Sequence, residues 1–361
     1  MGTAFTQSWI ELDGGHGSGS GTLVRFAVAF AALLGRPLRM VRARARRAKP
    51  GLRPQHVAAV QAAAALCDGR VEGVAVGAQR FEFVPGPGLR GGEWSWDIGT
   101  AGSATMLALG LLPIVSLVPE PCRVWIRGGT CQDFAPSLHH LEHVLLPLLA
   151  RMGARLELRL LRPGYLPRGE GLIELRSEPA RDALAPLCLG AAGSSGTVHG
   201  IALSSHLEER SVSARMAQAC AERLRAAGLD CEIETILDRE AASAGASLAA
   251  WARTAAGCLL GADRAGAPRR SAESIGRFVA ESLLGDLASG ASVDRHACDQ
   301  LVPFAALAAG TSRWLAPGPT EHLETNLWLA ERFGARTALR GTEVRVTGMG
   351  IVPAGRGARV R

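Results

Sequence analysis

Five short segments carry residue types at spacings that could do chemistry. The first is Asp13-Gly-Gly-His-Gly-Ser-Gly-Ser-Gly-Thr22. Glycines let several backbone N–H groups crowd around one anion, and a helix starting after them adds a favourable dipole. No Gly-Lys-Ser/Thr follows and no acidic residue lies about twenty positions on, which excludes a Walker-type loop and a dinucleotide fingerprint. The second, Arg44-Ala-Arg-Arg-Ala-Lys-Pro-Gly-Leu52 with Gln55 and His56, offers guanidinium forks for phosphate, bent together by Pro-Gly. The third, Ile98-Gly-Thr-Ala-Gly-Ser-Ala-Thr105, is another turn of small residues, and the fourth is Cys298-Asp299-Gln300, on or entering a helix. The fifth is Pro319-Thr-Glu-His322-Leu-Glu-Thr-Asn326. Neutral imidazole is a competent nucleophile near pH 7. Yet a lone histidine at a helix start is more often a cap or a packed side chain, and the chain has nine histidines. Taken alone, His322 assigns no reaction.

The elements that must hold these segments alternate strand and helix. Ser8–Leu12 reads as a strand and Thr22–Leu34 as a helix apolar all round; Leu38–Arg44 is a strand and Pro54–Cys67 an alanine-rich helix. Val71–Val76 and Arg80–Val84 form a hairpin-like pair. A strand near Trp94–Ile98, a helix from Ala101, a strand at 123–127, a helix from Ser137 to Met152 and strands at 155–161 and 172–175 follow. Two helices with about four strands thus recur in roughly 80 residues, an architectural repeat with faint sequence self-similarity. From Arg181 to Ser274 the character changes. Helices at 212–227 and 241–251 with strands at 198–203, 231–236 and 254–260 read as an inserted α/β module. Helices at 274–287 and 294–309, a strand at 312–316, the 317–326 loop and two closing strands complete the chain. The expected fold is α/β (α+β): a large domain from 1–180 and 275–361, and a small inserted domain at 181–274.

The composition fits a chain that meets polyanions. Of 361 residues 47% are hydrophobic and 20% charged, with a net charge of +7. No acidic residue lies between Asp13 and Asp68, while Arg25, Arg36, Arg39, Arg42, Arg44, Arg46, Arg47, Lys49 and Arg53 all do. Such a one-signed stretch favours phosphate or nucleic acid over a solvated face balanced from elsewhere. Eight cysteines without a Cys-x-x-Cys pair read as reduced thiols. The longest apolar run, Met106 to Leu117, is broken by Gly110 and Pro113 and falls short of the roughly 18–20 residues of a membrane span. The N-terminus shows no secretory signal, so a soluble, cytoplasmic protein is expected. Lys49 is the single lysine and Tyr165 the single tyrosine, in a chain biased toward Ala, Arg and Gly.

In their order these segments resemble the RNA 3′-terminal phosphate cyclase family. The likeness runs nearly end to end: the glycine loop after Asp13, the 44–52 run with Gln55-His56, Ile98-Gly-Thr-Ala-Gly-Ser103, Gly128-Gly-Thr130 with Ala135-Pro136, Arg162-Pro-Gly-Tyr-Leu-Pro167 before Gly169, Asp299-Gln-Leu-Val302 and His322-Leu-Glu-Thr-Asn326. Lys49 and Tyr165 both fall inside it. The resemblance implies repeated units of two helices on a four-stranded sheet with a smaller inserted α/β domain. It implies a ligase that uses ATP and a divalent metal, Mg²⁺ or Mn²⁺, to turn an RNA 3′-phosphate into a 2′,3′-cyclic phosphodiester. By that likeness His322 would carry AMP as a phosphoramidate. His296, Ala297, Cys298, Asp299 and Gln300 would form the ATP-binding segment, and Arg25, Arg44, Arg47, Lys49 and Gln55 would meet phosphate or RNA.

Two positions depart from the family pattern. The glycine loop carries Ser18 where a metal-holding glutamate is usual, and Leu109 stands where a nucleotide-contacting glutamine is usual. The first leaves the metal ligands unassigned, because a hydroxyl replaces a carboxylate poorly and His16 is softer than Mg²⁺ prefers. Both favour a runner-up, a catalytically impaired cyclase-like RNA-binding protein, whereas His322 itself argues against it, since that branch lacks the histidine. An enolpyruvyl-transferase-like enzyme shares only distant architecture and predicts no covalent AMP.

Overall fold

The computed structural model describes residues 8–353 and 359–360. The first unit runs β1 (Ile10–Asp13), α1 (Gly21–Leu34), β2 (Leu38–Val41), α2 (Pro54–Leu66), β3 (Arg70–Glu72) and β4 (Phe81–Val84), with strand order β1-β2-β4-β3. The second runs β5 (Gly92–Asp97), α3 (Ala104–Val115), β6 (Cys122–Gly128), α4 (Leu138–His140), a π turn (Leu141–Leu145), α5 (Leu146–Arg151), β7 (Leu156–Arg162) and β8 (Gly171–Ser177). Its order, β5-β6-β8-β7, repeats the first unit's, and in both the first pair is parallel and the other pairs antiparallel. The expected two-helix, four-strand repeat is therefore present. Local rules start and stop its helices. Ser20 accepts from the Thr22 N–H and Gly35 closes α1 at φ 65°, while Ser103 caps α3 and Pro54 opens α2. Helix α1 packs against α2 and α3 and is buried from Gly21 through Leu33.

Then comes the module β9 (Ser195–Ser205), α6 (Val212–Ala226), β10 (Cys231–Asp238), β11 (Gly245–Thr254), β12 (Leu259–Ala265) and α7 (Ala272–Ala288), with sheet order β10-β9-β11-β12 and α7 lying on α6 and β12. The expected helix at 241–251 is instead the central strand β11. Its alanines suit a helix by propensity, but the strand is hydrogen-bonded on both sides, to β9 and β12, with α6 and α7 against it. There small side chains fit a covered surface, and tertiary packing overrides the local preference.

The chain closes with α8 (Arg295–Gln300), α9 (Val302–Leu307), β13 (Thr311–Leu315), α10 (Glu321–Phe333), β14 (Arg336–Arg340), β15 (Glu343–Thr347), β16 (Ile351–Val352) and β17 (Arg359–Val360). Residues 187–189 pair in parallel with Arg313 of β13, and the sheet continues β13-β15-β14. The strand order of the first two units is thus reproduced a third time. The module from β9 to α7 falls between this unit's first strand and its first helix. Among the described residues no helix is long and apolar enough to cross a membrane.

Candidate active site

Three chain segments meet at the start of α10. Thr320 caps the helix by accepting from the Leu323 N–H at 3.1 Å, which puts His322 in the first turn with its side chain exposed. The glycine loop docks beside it. Ser18 donates its N–H to Thr325 Oγ1 at 2.9 Å, His16 stacks on Trp328 with ring centroids 3.8 Å apart, and a Cβ on Gly17, whose φ is +50°, would collide with Thr325. The basic loop reaches across: Arg46 donates to the Gly17 carbonyl and pairs with Glu321 at 3.4 Å. Asn326, one turn below His322, donates from Nδ2 to the Asp299 carbonyl at 2.9 Å, bringing α8 to the same place.

Charge in this cluster is arranged for an anion. Arg25 of α1 is 2% exposed, and its one side-chain partner is Thr22 Oγ1 at 3.3 Å, with Nε unpartnered. Burial lowers it to about 10, against the opposing pull of Asp299 and with help from Arg44. His322 lies below its ordinary value, through partial burial and then through the Arg47 and Arg25 charges. It is therefore neutral, with a free lone pair, at neutral pH. His56, buried beside Gly21, is held well below its usual value by burial and then by Arg25, Arg44 and Arg53. It accepts the Arg53 N–H at Nδ1 and so completes the capping box at the start of α2. Arg25 and Arg47 thus set positive charge beside an imidazole that burial and those charges hold below its ordinary value.

The residues expected at the site fall into two groups. Arg47, Arg25 and His296 act on His322 electrostatically, and Asp299 acts on Arg25. Arg44, at a left-handed φ of 55°, turns Nη1 back onto the Lys49 and Gly51 carbonyls at 2.9 and 2.6 Å and so shapes its own loop. Lys49 is exposed, and its carbonyl is the group fixed here. Gln55 accepts the Ser103 N–H at 2.7 Å and ties α2 to the third small-residue turn. Ala297, Cys298 and Gln300 are buried, with Cys298 Sγ accepting from Trp314, so in the 296–300 segment His296 is the exposed side chain and Asp299 is half-buried. Leu109 is 1% exposed in α3. Ser18 is buried with its hydroxyl on Ser20, and the carboxylates of Asp13 and Glu321 are paired with Arg42 and Arg46.

Sequence reading missed what steadies α8. Asp294 caps it, accepting from the His296 and Ala297 N–H groups at 2.8 and 2.9 Å, and meets His140 Nε2 at 3.1 Å in full burial. Burial opposes the His140 charge, yet Asp294 lifts the imidazole to about 9 and is itself held well below the carboxylate range. The aspartate before the 295–300 helix was a readable cap signal; its partner 154 residues away was not.

Burial, and then the Asp294 charge, raise Asp299 to about 7 despite Arg25. A carboxyl held protonated only in the folded state loses stability as pH rises from its unfolded value near 4 toward 7. The melting temperature of an Asp299→Asn variant is therefore expected to gain on the parent's by at least about 2 °C between pH 4.5 and 7.5, levelling above that. A constant gap across the series overturns this assignment.

The sequence pattern of the RNA 3′-terminal phosphate cyclase family matches residues 16–339. An RNA 3′-terminal phosphate cyclase of Pyrobaculum neutrophilum is 38% identical over 327 residues, 90% of this chain and 92% of that protein. One of Methanopyrus kandleri is 37% identical over 355 residues, 96% of this chain and all of that one, and one of Methylococcus capsulatus 38% over 350 residues, 95% of each.

Proposed function

The chain belongs to the RNA 3′-terminal phosphate cyclase family, and on that premise we propose that it couples cleavage of ATP to AMP and pyrophosphate with ring closure at RNA 3′-phosphate ends through an AMP carried on His322. The observation that carries this reading is the neutral, exposed imidazole at the head of α10, faced by the buried Arg25 and by Arg47. The imidazole lone pair attacks the α-phosphorus, the bond to the bridging oxygen breaks, and pyrophosphate leaves. An oxygen of the RNA 3′-phosphate then takes AMP from His322. The neighbouring 2′-hydroxyl attacks the 3′-phosphorus, loses its proton, and expels AMP. That last step is intramolecular, so the ribose has already met most of its entropic cost. Arg25 and Arg47 hold the phosphates and oppose the charge that builds on them, aided by the α10 N-terminus.

The glycine loop does not fit a metal ion. Ser18 turns its hydroxyl to Ser20, the Asp13 carboxylate is paired with Arg42, and the one imidazole of the loop, His16, is a softer donor than Mg²⁺ prefers, so the loop offers no free carboxylate to hold one. Half-saturation by Mg²⁺ or Mn²⁺ is accordingly expected at a concentration about ten-fold or more above that of a relative with glutamate there, since a lost metal-site group typically costs that much. Equal half-saturation in a side-by-side titration contradicts it.

A second reading, a catalytically impaired RNA-binding member of the family, is favoured by Ser18 and by Leu109, whose burial removes it from any nucleotide. Incubation with α-labelled ATP separates the two. Acid-labile label on the protein supports the cyclase, and its absence across metals supports the binding protein. RNA held by Arg47 and its neighbours should weaken steeply with salt, by about ten-fold or more between 50 and 200 mM.

A further inference from the structure

Away from this site, the helical stretch of the second unit gathers three metal-type ligands on one face. His139, Glu142 and His143 each offer an atom, and all three atoms lie within 4.8 Å of one another. His139 Nδ1 stands 3.6 Å and His143 Nε2 3.7 Å from the same oxygen, Oε2 of Glu142. Ligands about 2.0–2.2 Å from a tetrahedral zinc stand roughly 3.3–3.6 Å from each other. One edge of the triangle is therefore already at metal-bound spacing and the other lies just outside it. Residues three and four apart share a helix face, so the side chains of His139, Glu142 and His143 converge.

Two further observations point to a missing ligand. Both ring nitrogens of His139 are shut off from solvent and have no hydrogen-bond partner. A buried polar atom left unpaired is unfavourable, and a bound cation relieves it at once. In addition, Glu142 and His143 sit in the π turn Leu141–Leu145. Such turns inside a helix disrupt its bonding pattern and recur at functional sites. The His143 ring is fixed by stacking on Trp251 of β11 at 4.0 Å, and it lines a cleft with Pro147, Ser194, His199 and Arg253. The cleft gives solvent access on the His143 side of the cluster.

We propose that His139, Glu142 and His143 form a binding site for a divalent transition metal of the zinc class, set where the second unit meets the inserted sheet. Two imidazoles and one carboxylate favour zinc over magnesium, which prefers oxygen. The site is independent of the His322 chemistry, and its test does not rely on activity.

Chelator-treated protein is titrated with Zn²⁺ by equilibrium dialysis, and Co²⁺ is used as a spectroscopic stand-in. The expected result is one metal per chain and a tetrahedral Co²⁺ absorption band, both unchanged in 10 mM Mg²⁺. Glu142→Gln, at a half-exposed position that should not disturb folding, weakens zinc binding at least ten-fold, and His143→Ala does the same. His322→Ala, in the other site, leaves it unchanged. Absence of stoichiometric zinc, or binding that survives Glu142→Gln and His143→Ala in correctly folded protein, overturns the proposal. Should His143→Ala fail to fold, Glu142→Gln and the imidazole count from X-ray absorption on the unaltered protein decide the question.

Discussion

His322→Ala is expected to abolish labelling by α-labelled ATP and to lower cyclisation by at least about 10⁴-fold, the scale on which removing a covalent nucleophile acts. The loss should come without unfolding, because the side chain is exposed at the head of α10 and the helix is capped by Thr320 rather than by the imidazole. Surface changes of this kind usually alter stability by less than about 0.5 kcal/mol. His322→Asn, which keeps hydrogen-bonding capacity but cannot attack phosphorus, should fail to the same extent. The pH profile gives a second reading. The imidazole lies below its ordinary value because of partial burial and the Arg47 and Arg25 charges. Adenylation should therefore persist below pH 6.5, falling only as the ring finally protonates. Residual label in His322→Ala would move the nucleophile elsewhere and remove the basis of the mechanism.

Arg25→Met is expected to separate stability from activity. Burial lowers the guanidinium from 12.5 to about 10, so at neutral pH the folded protein bears a charge that the unfolded chain carries more easily. The difference is of order 3 kcal/mol at 1.36 kcal/mol for each pKa unit. Met replaces the stem that packs along Gly110 and gives up only the bond to Thr22. Net stabilisation of about 1–3 kcal/mol should follow, read as a raised melting temperature. Activity should fall by about 10²–10³-fold, since a preorganised charge facing the phosphates is lost. A variant that is both less stable and fully active would make Arg25 a packing residue. The trade between fold and function is what a destabilised active site implies.

How much of this was legible beforehand differs residue by residue. The helices around the site announce themselves locally: Ser20 before α1, Pro54 opening α2 and Thr320 before α10 are cap signals that need no partner from afar. The resemblance sets the Asp299 and His322 segments in one site, and the structure joins those segments through Asn326 and the Asp299 carbonyl. The inserted module was harder. The stretch Ser247-Leu-Ala-Ala-Trp251 looks helical until β9 and β12 are known to flank it. Likewise nothing near Ala297 or Cys298 says that these two face inward while His296 faces out.

Most of the elements, the recurrence of the two-helix, four-strand unit, the run of arginines without acidic neighbours and the segment that holds His322 are legible in the chain alone. These are set by local backbone preference, by periodicity and by short motifs. Only the tertiary structure decided what those groups are in chemical terms. It sank Arg25 between helices, crowded His322 with cations, and lifted Asp299 toward neutrality. It turned Gln55 to the Ser103 amide and left Lys49 in solvent. The physical reason is that solvation and Coulomb energy depend on everything within a few ångströms, and the groups that matter come from positions as distant as Ser18 and Thr325.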